Sequence, residues 1–166
     1  MEVKIIPTGG LCNRLRAIAT GVAVAKKYHC PSVIYWNNSL GLKADYCELF
    51  KPIPQEGVKL IENKQWLYNI NGNKDYLVRW PLLKTMFEQT VFNFSIYRNG
   101  DEVYSKLKKS YSRSLLLISC YPMCTKYTIQ GMFIPQDDIQ RRIDEVVAGF
   151  SERTIGVHIR RTDNIV

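Results

Sequence analysis

The sequence predicts an α/β fold with a mostly parallel sheet, and three observations support the prediction. A β-prone run at 2–6 is followed by a Gly-Gly break, a stretch with helical periodicity, and a second β-prone run at 32–36. This strand, helix, strand order is that of a βαβ unit. Two further apolar runs, at 58–61 and 114–120, are the kind of strand that parallel sheets bury. Since βαβ units place helices over the sheet, we expect helices on both of its faces.

The bulk composition is that of one soluble globular domain. The chain has 166 residues, of which 46% are hydrophobic and 23% charged. This length is enough for a sizeable core but short for two domains. No run approaches the roughly 18 apolar residues of a membrane helix, so we expect no transmembrane segment.

The N-terminal sequence MEVKIIPTGG predicts a cytoplasmic protein, because it lacks the hydrophobic run and cleavage site of a secretory signal. The cysteines are odd in number and contain no CxxC pair, and the chain has only two histidines. We therefore expect reduced thiols and no metal site. The five cysteines are Cys12, Cys30, Cys47, Cys120 and Cys124.

The net charge favours an anionic partner. Lys and Arg outnumber Asp and Glu 23 to 15, which gives a formal charge of +8. Nucleic acid, acidic membrane surfaces and phosphorylated small molecules all fit such a surplus. The basic residues are scattered, with no stripe and no aromatic interleaving. We therefore expect no nucleic-acid partner, and a basic nucleic-acid-binding domain remains the weaker alternative.

The first helix is predicted by apolar residues at helical spacing directly after the glycines. Pro31 precedes the strand at 32–36, and a short helix at 46–50 is predicted to end before Pro52 and Pro54. The apolar face of the first helix consists of Leu11, Leu15, Ile18, Val22 and Ala25.

The middle of the chain is harder to assign. The run at 75–83 predicts a strand stopped by Pro81, and 84–97 fits either a buried helix or a pair of strands. Residues 101–109 have acidic groups at their start and lysines at their end, which favours a helix.

The last elements are a helix and a strand. Pro135 and the acidic pair at 137–138 predict a helix start, and a strand is expected at 154–159 after a turn at 150–153. The helix should present one apolar face, formed by Ile139, Ile143, Val146, Val147 and Phe150.

The first glycine loop has the features of an anion site. Gly9 and Gly10 lie between a strand and a helix, where the backbone can approach a ligand and the first helical turn offers unpaired N–H groups. Asn13, Arg14 and Arg16 add side-chain donors. The alternative is that the glycines only permit a tight turn, since the loop has neither the GxGxxG nor the GK[ST] spacing of nucleotide-binding motifs.

The stretch GVHIRRTDN forms a second candidate anion site. Arg160 and Arg161 follow an apolar strand, and ligands of parallel α/β sheets collect at such strand ends. Two guanidinium groups match the oxygens of a pyrophosphate, Asp163 can orient one arginine, and His158 can donate to a phosphate or ribose oxygen. A solvent-exposed Arg-Arg-Asp ion pair is the alternative.

The stretches GGLCNRLRAI and IGVHIRRTDN together resemble the fucosyltransferase superfamily that contains the α1,6-fucosyltransferases and the NodZ enzymes. The resemblance implies a GT-B enzyme, which has two Rossmann-like domains facing across a cleft. It implies inverting transfer of a sugar, L-fucose, from a GDP-sugar to a glycan acceptor, without a metal or other cofactor. This chain would be the N-terminal Rossmann-like half.

The resemblance also assigns roles to residues. Arg160 and Arg161 would be catalytic and hold the donor pyrophosphate, with His158 and Asp163 around it. Gly9, Gly10, Asn13 and Arg14 would approach the donor or acceptor from the N-terminal side. Cys12 departs from the family, which often has a third glycine there. The R-R-T-D form argues against the α1,2 group, whose counterpart usually reads R-G-D.

The resemblance divides the chain into two parts. We expect 1–152 to be the Rossmann-like domain, and 153–166 to be the first strand and donor motif of a C-terminal domain that is otherwise missing. The expected consequences are little transfer and weak GDP binding by this chain alone, and self-association through the uncovered face between domains. A non-catalytic remnant or interaction module is the main alternative.

Overall fold

The computed structural model describes residues 1–38, 42–62, 81–83, 85–107, 114–123 and 131–157. Strands and helices alternate over residues 3–62, as the sequence predicts. The named elements are β1 Val3–Pro7, α1 Leu11–Lys27, β2 Ser32–Trp36, α2 Tyr46–Leu49, β3 Val58–Glu62, β4 Gln89–Phe92, α3 Asn93–Ser105, β5 Leu115–Ser119 and α4 Asp137–Val147.

The described strands form one sheet in the order β3-β2-β1-β5-β4. Every pairing between these strands is parallel. Val3 lies opposite Ser32 on one side and opposite Leu115 on the other, so β1 is flanked by β2 and β5. The α/β prediction is confirmed, and the Rossmann-like arrangement places the carboxyl ends of β1 and β5 side by side at Pro7 and Ser119.

The sheet is covered on both faces, which explains why its central strands are apolar throughout. Alternate residues of β1 and β5 enter different clusters because successive side chains of a strand point to opposite faces. Ile5 and Leu117 belong to the larger cluster with α1, whereas Ile6 and Ile118 pack with Leu83 and Phe87 on the other face. All five residues of β5 are buried.

Helix α1 lies against the sheet at very short range. A Cβ built on Gly21 would lie 2.2 Å from Cδ1 of Ile5 in β1, so any larger residue would force the Ile5 side chain to move. The helix carries Lys26 and Lys27 in its last turn, where cations interact favourably with the helix dipole. The helix predicted after the glycines is therefore confirmed, and glycine at position 21 serves packing.

The short helix α2 is held by a capping box. The Asp45 side chain accepts a hydrogen bond from the backbone N–H of Glu48. The Glu48 side chain accepts one in return, through Oε2, from Asp45 N at 2.8 Å. Phe50, which follows the helix, forms an isolated antiparallel bridge to Pro135. The predicted helix at 46–50 is confirmed over 46–49, and the predicted strand at 58–61 is confirmed.

The segment 84–97 differs from both predicted alternatives. Residues 89–92 form a single strand, β4, which pairs with β5, and α3 follows it directly. The residues are apolar enough for either state, and pairing with β5 decides in favour of a strand. Helix α3 is interrupted at Asn99, whose backbone is extended, and it ends at Ser105.

The remaining part of the middle region is only partly described. The predicted helix at 101–109 is confirmed as far as Ser105, and 108–109 lie outside the described residues. Of the strand predicted at 75–83, residues 75–80 also lie outside. Residues 81–83 are helical, which agrees with a stop at Pro81, and the strand before it stays a prediction.

The last helix forms where the sequence predicts, but none of its residues is buried. The predicted acidic start is confirmed, with Asp137 and Asp138 in the first turn. A turn follows, in which Thr154 N donates to Ser151 O at 3.0 Å. The strand predicted at 154–159 is wrong over 154–157, which is exposed and has no strand beside it among the described residues, while 158–159 lie outside them. Without a partner strand, the backbone has no ladder to join.

Candidate functional site

The Gly-Gly loop lies at the carboxyl end of the central strands, where parallel α/β sheets bind their ligands. Gly9 has a φ of +80°, a left-handed conformation that side chains disfavour. A Cβ at this position would also lie 3.2 Å from Cβ of Cys120, at the end of β5. Glycine at position 9 is therefore required by both the backbone and the neighbouring strand.

Gly10 is the N-cap of α1, and its carbonyl accepts the first helical hydrogen bond, from Arg14 N at 3.1 Å. No side chain caps this helix end, and its first turn contains no acidic residue. The first N–H groups of a helix have no acceptor within the helix and mark its positive end. The start of α1 is thus electrostatically suited to an anion.

Arg14 is 1% exposed and lies beneath the loop. Its Nε donates to Gly9 O at 2.7 Å, and its Nη1 donates to Asn37 O at 2.5 Å. The guanidinium also stacks on Trp36, with Cζ 5.1 Å from the ring centroid. Burial lowers the pKa of Arg14 to about 10. The side chain therefore ties the loop after β1 to the end of β2.

The other predicted donors of the loop are more accessible. Asn13 is half-buried, and its Nδ2 lies 3.5 Å from the position that a Cβ of Gly9 would take. Cys12 and Arg16 are exposed. The structure thus brings Gly9, Gly10 and Asn13 together at the surface of the loop and places Arg14 in its interior.

The end of β5 lies beside the glycine loop at the same edge of the sheet. Ser119 Oγ donates to Tyr121 O and accepts from Tyr121 N, both at 2.9 Å. Met123 N then donates to Thr20 Oγ1 of α1 at 3.0 Å, which turns the chain back over the helix. Gly100 permits this path, because a Cβ there would lie 2.7 Å from Pro122 O.

A cleft of about 320 Å³ lies beside the edge strand β3, and the sequence motifs do not indicate it. Glu62 ends β3 at the same edge of the sheet as the glycine loop, and its Oε1 accepts from Cys47 N at 2.8 Å. The cleft is lined by Tyr46, Cys47, Phe50, Pro52, Ile53, Val58, Leu60, Glu62 and Gln136.

Two polar groups of this cleft have perturbed ionisation. The Tyr46 hydroxyl is buried and has no hydrogen-bond partner among the described residues, and burial raises the pKa of Tyr46 to about 12. The Cys47 thiol hydrogen-bonds to Glu62, which raises the pKa of Cys47. The cleft is connected to the loop through rings, since Tyr46 meets Trp36 edge-on with centroids 5.3 Å apart.

The four described cysteines form no disulfide with one another, and Cys124 lies outside the described residues. In the part of the chain that the structure describes, no three His, Cys, Asp or Glu side chains come together as metal ligands. Within the same ranges, no helix is long and apolar enough to cross a membrane.

The second motif lies outside the described residues. His158, Arg160, Arg161 and Asp163 all fall in 158–166, so their roles stay predictions. Sequence reasoning also missed residues that support the loop. Trp36 and Asn37 are such residues, and the only sequence signal for them is their place at the end of a predicted strand, where ligands gather.

The parallel sheet and the glycine loop after its central strand define a Rossmann-like domain. The chain is similar to the crystal structure of fucosyltransferase NodZ from Bradyrhizobium, with a TM-score of 0.54 and 16% identity over 89% of this chain. It is also similar to NodZ α-1,6-fucosyltransferase soaked with GDP-fucose, and to the same enzyme co-crystallized with GDP. For each of these two, the TM-score is 0.52 and the identity 17%, again over 89% of this chain.

The similarity confirms the predicted resemblance at the level of the fold. The chain spans about half the length of the NodZ chains, covering 54% of the first, 54% of the GDP-fucose-soaked chain and 55% of the GDP complex. No protein-family model matches the chain, and no curated protein matches it.

Proposed function

We propose that this chain is the N-terminal half of a fucosyltransferase-like glycosyltransferase of the GT-B type. The reaction is transfer of a sugar, L-fucose, from a GDP-sugar to a glycan acceptor. The observation that carries the proposal is the fold, which resembles NodZ, together with a glycine loop at the carboxyl end of β1. The HxRRTD motif supports the same assignment independently, because it is a feature of the sequence alone.

The proposed chemistry is displacement at the anomeric carbon with inversion. The oxygen of an acceptor hydroxyl forms the new glycosidic bond, the bond to the β-phosphate oxygen breaks, and GDP leaves. The acceptor proton passes to a general base. Negative charge grows on the leaving phosphate, so preorganised cationic donors accelerate this step.

Arg160 and Arg161 supply those donors in our proposal. Two bidentate guanidinium groups match a pyrophosphate and do the electrostatic work that a metal ion does in other transferases, so no metal is needed. His158 donates to a phosphate or ribose oxygen, and Asp163 orients one of the arginines.

The glycine loop faces the same ligand from the other side in our proposal. Gly9 and Gly10 let the backbone approach closely, and Asn13 adds an amide donor at the surface of the loop. Arg14 supports the loop from the protein interior, because its hydrogen bonds to Gly9 O and Asn37 O stabilise the left-handed conformation of Gly9. We also propose a cytoplasmic location, which is consistent with the absence of a disulfide among the described cysteines.

Titration of GDP into the ¹⁵N-labelled protein, followed by NMR, tests the proposal. We expect weak binding, with a Kd of about 1 mM or above, and shifts at the amides of Gly9, Gly10 and Asn13. Arg160→Ala and Arg161→Ala should each weaken binding, whereas Arg153→Ala, at an exposed arginine nearby, should not. The absence of loop shifts at saturating GDP, or equal effects of all three substitutions, would contradict the proposal.

A further inference from the structure

The cleft beside β3 is separate from the glycine loop and is accessible from solvent. Its volume of about 320 Å³ falls within the range of small-molecule sites, roughly 300–1,000 Å³. Val58, Leu60 and Glu62 all line it, because residues two apart on a strand point to the same face. Cys47 and Glu62 are exposed, so a ligand can reach the cleft without any movement of the domain.

Most of the lining is apolar and is held in place by aromatic contacts. Tyr46 and Phe50 are 3% and 9% exposed, and their ring centroids are 5.4 Å apart. Tyr46 also meets Trp36 edge-on. Pro52 and Ile53 complete the apolar lining together with the aliphatic residues of β3. Because these side chains are already fixed by packing, a ligand would bind with little cost in ordering the protein.

The polar groups of the cleft are hydrogen-bond acceptors. Gln136 Nε2 donates to Cys47 O at 2.6 Å and to Phe50 O at 3.1 Å, so both amide hydrogens are used and Oε1 is left as an acceptor. Glu62 Oε1 accepts from Cys47 N at 2.8 Å, which fixes the carboxylate. Within the described ranges, no Lys or Arg pairs with Glu62 and no donor bonds Gln136 Oε1.

These groups define the chemistry of a matching ligand. The two acceptors require a ligand with hydrogen-bond donors, and the Glu62 carboxylate disfavours an anion. The formal charge of +8 on the chain disfavours a cation. A neutral ring with hydroxyl groups at its edge satisfies all three conditions. Its hydroxyls can donate to Glu62 and Gln136, and the C–H groups of its faces can pack on the apolar lining.

We propose that this cleft binds one sugar unit of a neutral saccharide. That the saccharide is the glycan acceptor rests on the proposed function. Glu62 lies opposite Trp36 in register, and β2 separates β3 from β1. Strands are spaced by about 4.8 Å, so the backbone of Glu62 lies about 10 Å from the carboxyl end of β1. A short oligosaccharide that starts in the cleft therefore reaches the glycine loop.

Titration of methyl glycosides into the ¹⁵N-labelled chain, followed by NMR, tests the proposal. The probes are methyl β-D-glucopyranoside, methyl β-D-galactopyranoside and methyl α-D-mannopyranoside, each neutral and with a single ring. We expect at least one of them to shift the amides of Cys47, Leu60 and Glu62, with a Kd on the order of 10 mM. No shift at these amides with any of the three probes at about 100 mM would overturn the proposal.

Two matched pairs of variants locate the binding. Glu62→Gln should weaken glycoside binding about tenfold, because a neutral acceptor replaces a charged one. Glu56→Gln, at an exposed glutamate in the loop before β3, should leave the Kd unchanged. Leu60→Trp fills the cleft and should abolish binding, whereas Lys59→Trp adds the same bulk on the opposite face of β3 and should not.

Circular dichroism shows whether the variants are folded, and the two glutamate variants decide the test alone if Leu60→Trp does not fold. Glycoside binding that is insensitive to Glu62→Gln would overturn the proposal. Cyclohexylammonium has an apolar ring and a positive charge. Shifts of the cleft amides with this cation, and none with the glycosides, would also overturn it.

GDP in a separate titration distinguishes this proposal from the proposed function, because it is expected to shift the amides of Gly9 and Gly10. Glycoside shifts at the cleft without GDP shifts at the loop would support the saccharide site and contradict the donor site. GDP shifts at the loop without glycoside shifts at the cleft would overturn the saccharide site and leave the proposed function standing.

Discussion

The guanidinium of Arg14 lies on the indole of Trp36, with Cζ 5.1 Å from the ring centroid. Arg14 lies in the first turn of α1, which follows β1, and Trp36 is the last residue of β2. Their contact therefore joins the carboxyl ends of β1 and β2. The same guanidinium donates hydrogen bonds to the backbone carbonyls of Gly9 and Asn37. It therefore supports the candidate loop without lying at its surface. The loop therefore depends on a buried cation for its shape.

Replacing Arg14 should destabilise the domain strongly. Arg14→Met keeps the apolar stem but leaves two backbone carbonyls without charged donors, and we expect the free energy of unfolding to fall by about 2–4 kcal/mol. Urea denaturation measures the change. Arg16→Met, at an exposed arginine on the same helix, should change stability by less than about 0.5 kcal/mol. Similar effects of the two substitutions would refute a supporting role for Arg14.

Removing the Tyr46 hydroxyl should stabilise the protein. The group is buried without a partner among the described residues, so Tyr46→Phe should raise the free energy of unfolding by about 1 kcal/mol at pH 7. Tyr28→Phe, at a half-buried tyrosine, should give no such gain. A loss of stability in Tyr46→Phe would mean that the hydroxyl has a partner.

The same tyrosine predicts how stability changes in alkali. Burial raises the pKa of Tyr46 to about 12, whereas the unfolded group titrates near 10, so the folded state binds more protons between these values. Ionisation of Tyr46 therefore leaves the free energy of unfolding unchanged below about pH 10 and lowers it as the pH rises from there toward 12. Unfolding curves at pH 9 and pH 11 should therefore differ less for Tyr46→Phe than for the unaltered protein.

Adding a methyl group at Gly21 should disturb the packing of α1 on β1. A Cβ there overlaps Cδ1 of Ile5, and overpacking costs about 1–3 kcal/mol, against a gain in helix propensity of up to about 1 kcal/mol. We expect Gly21→Ala to lower the melting temperature, and Ile5→Val to restore part of the loss in the double variant. Gly156→Ala has no atom within 4 Å of its Cβ and serves as the control.

The thiol of Cys47 should react faster when Glu62 loses its charge. Its hydrogen bond to the Glu62 carboxylate raises the pKa of Cys47, so Glu62→Gln should lower it and increase the thiolate fraction near pH 8. The rate of alkylation by iodoacetamide, followed by mass spectrometry, measures this. An unchanged alkylation rate at Cys47 would show that the Glu62 carboxylate does not raise the pKa of the thiol.

The proposed donor arginines should be essential in any longer protein that carries this chain. We expect Arg160→Ala to reduce transfer from GDP-fucose by at least about 10²–10³-fold, because charge on the leaving phosphate would lose a preorganised donor. Arg153→Ala is the control. Comparable transfer rates for Arg160→Ala and the unaltered enzyme would rule out the assignment.

Strands β1, β2, β3 and β5 and the first helix were predictable because their signals are local. The β-prone runs, the glycine break and the apolar run of β5 each depend on a few neighbouring residues, and the parallel sheet confirms the strands. The segment at 84–97 was not predictable in the same way. Its residues suit a helix or a strand equally, and pairing of β4 with β5 decides between them through long-range hydrogen bonds.

The candidate site shows the same division. The sequence by itself determined the α/β class, the glycine loop and the apolar face of α4, because these follow from composition and periodicity. Only the tertiary structure decided that Arg14 lies inside, that Tyr46 and Glu62 share a cleft, and that α4 leaves its face exposed. Burial is a property of what packs against a residue, and residues distant in sequence supply that packing.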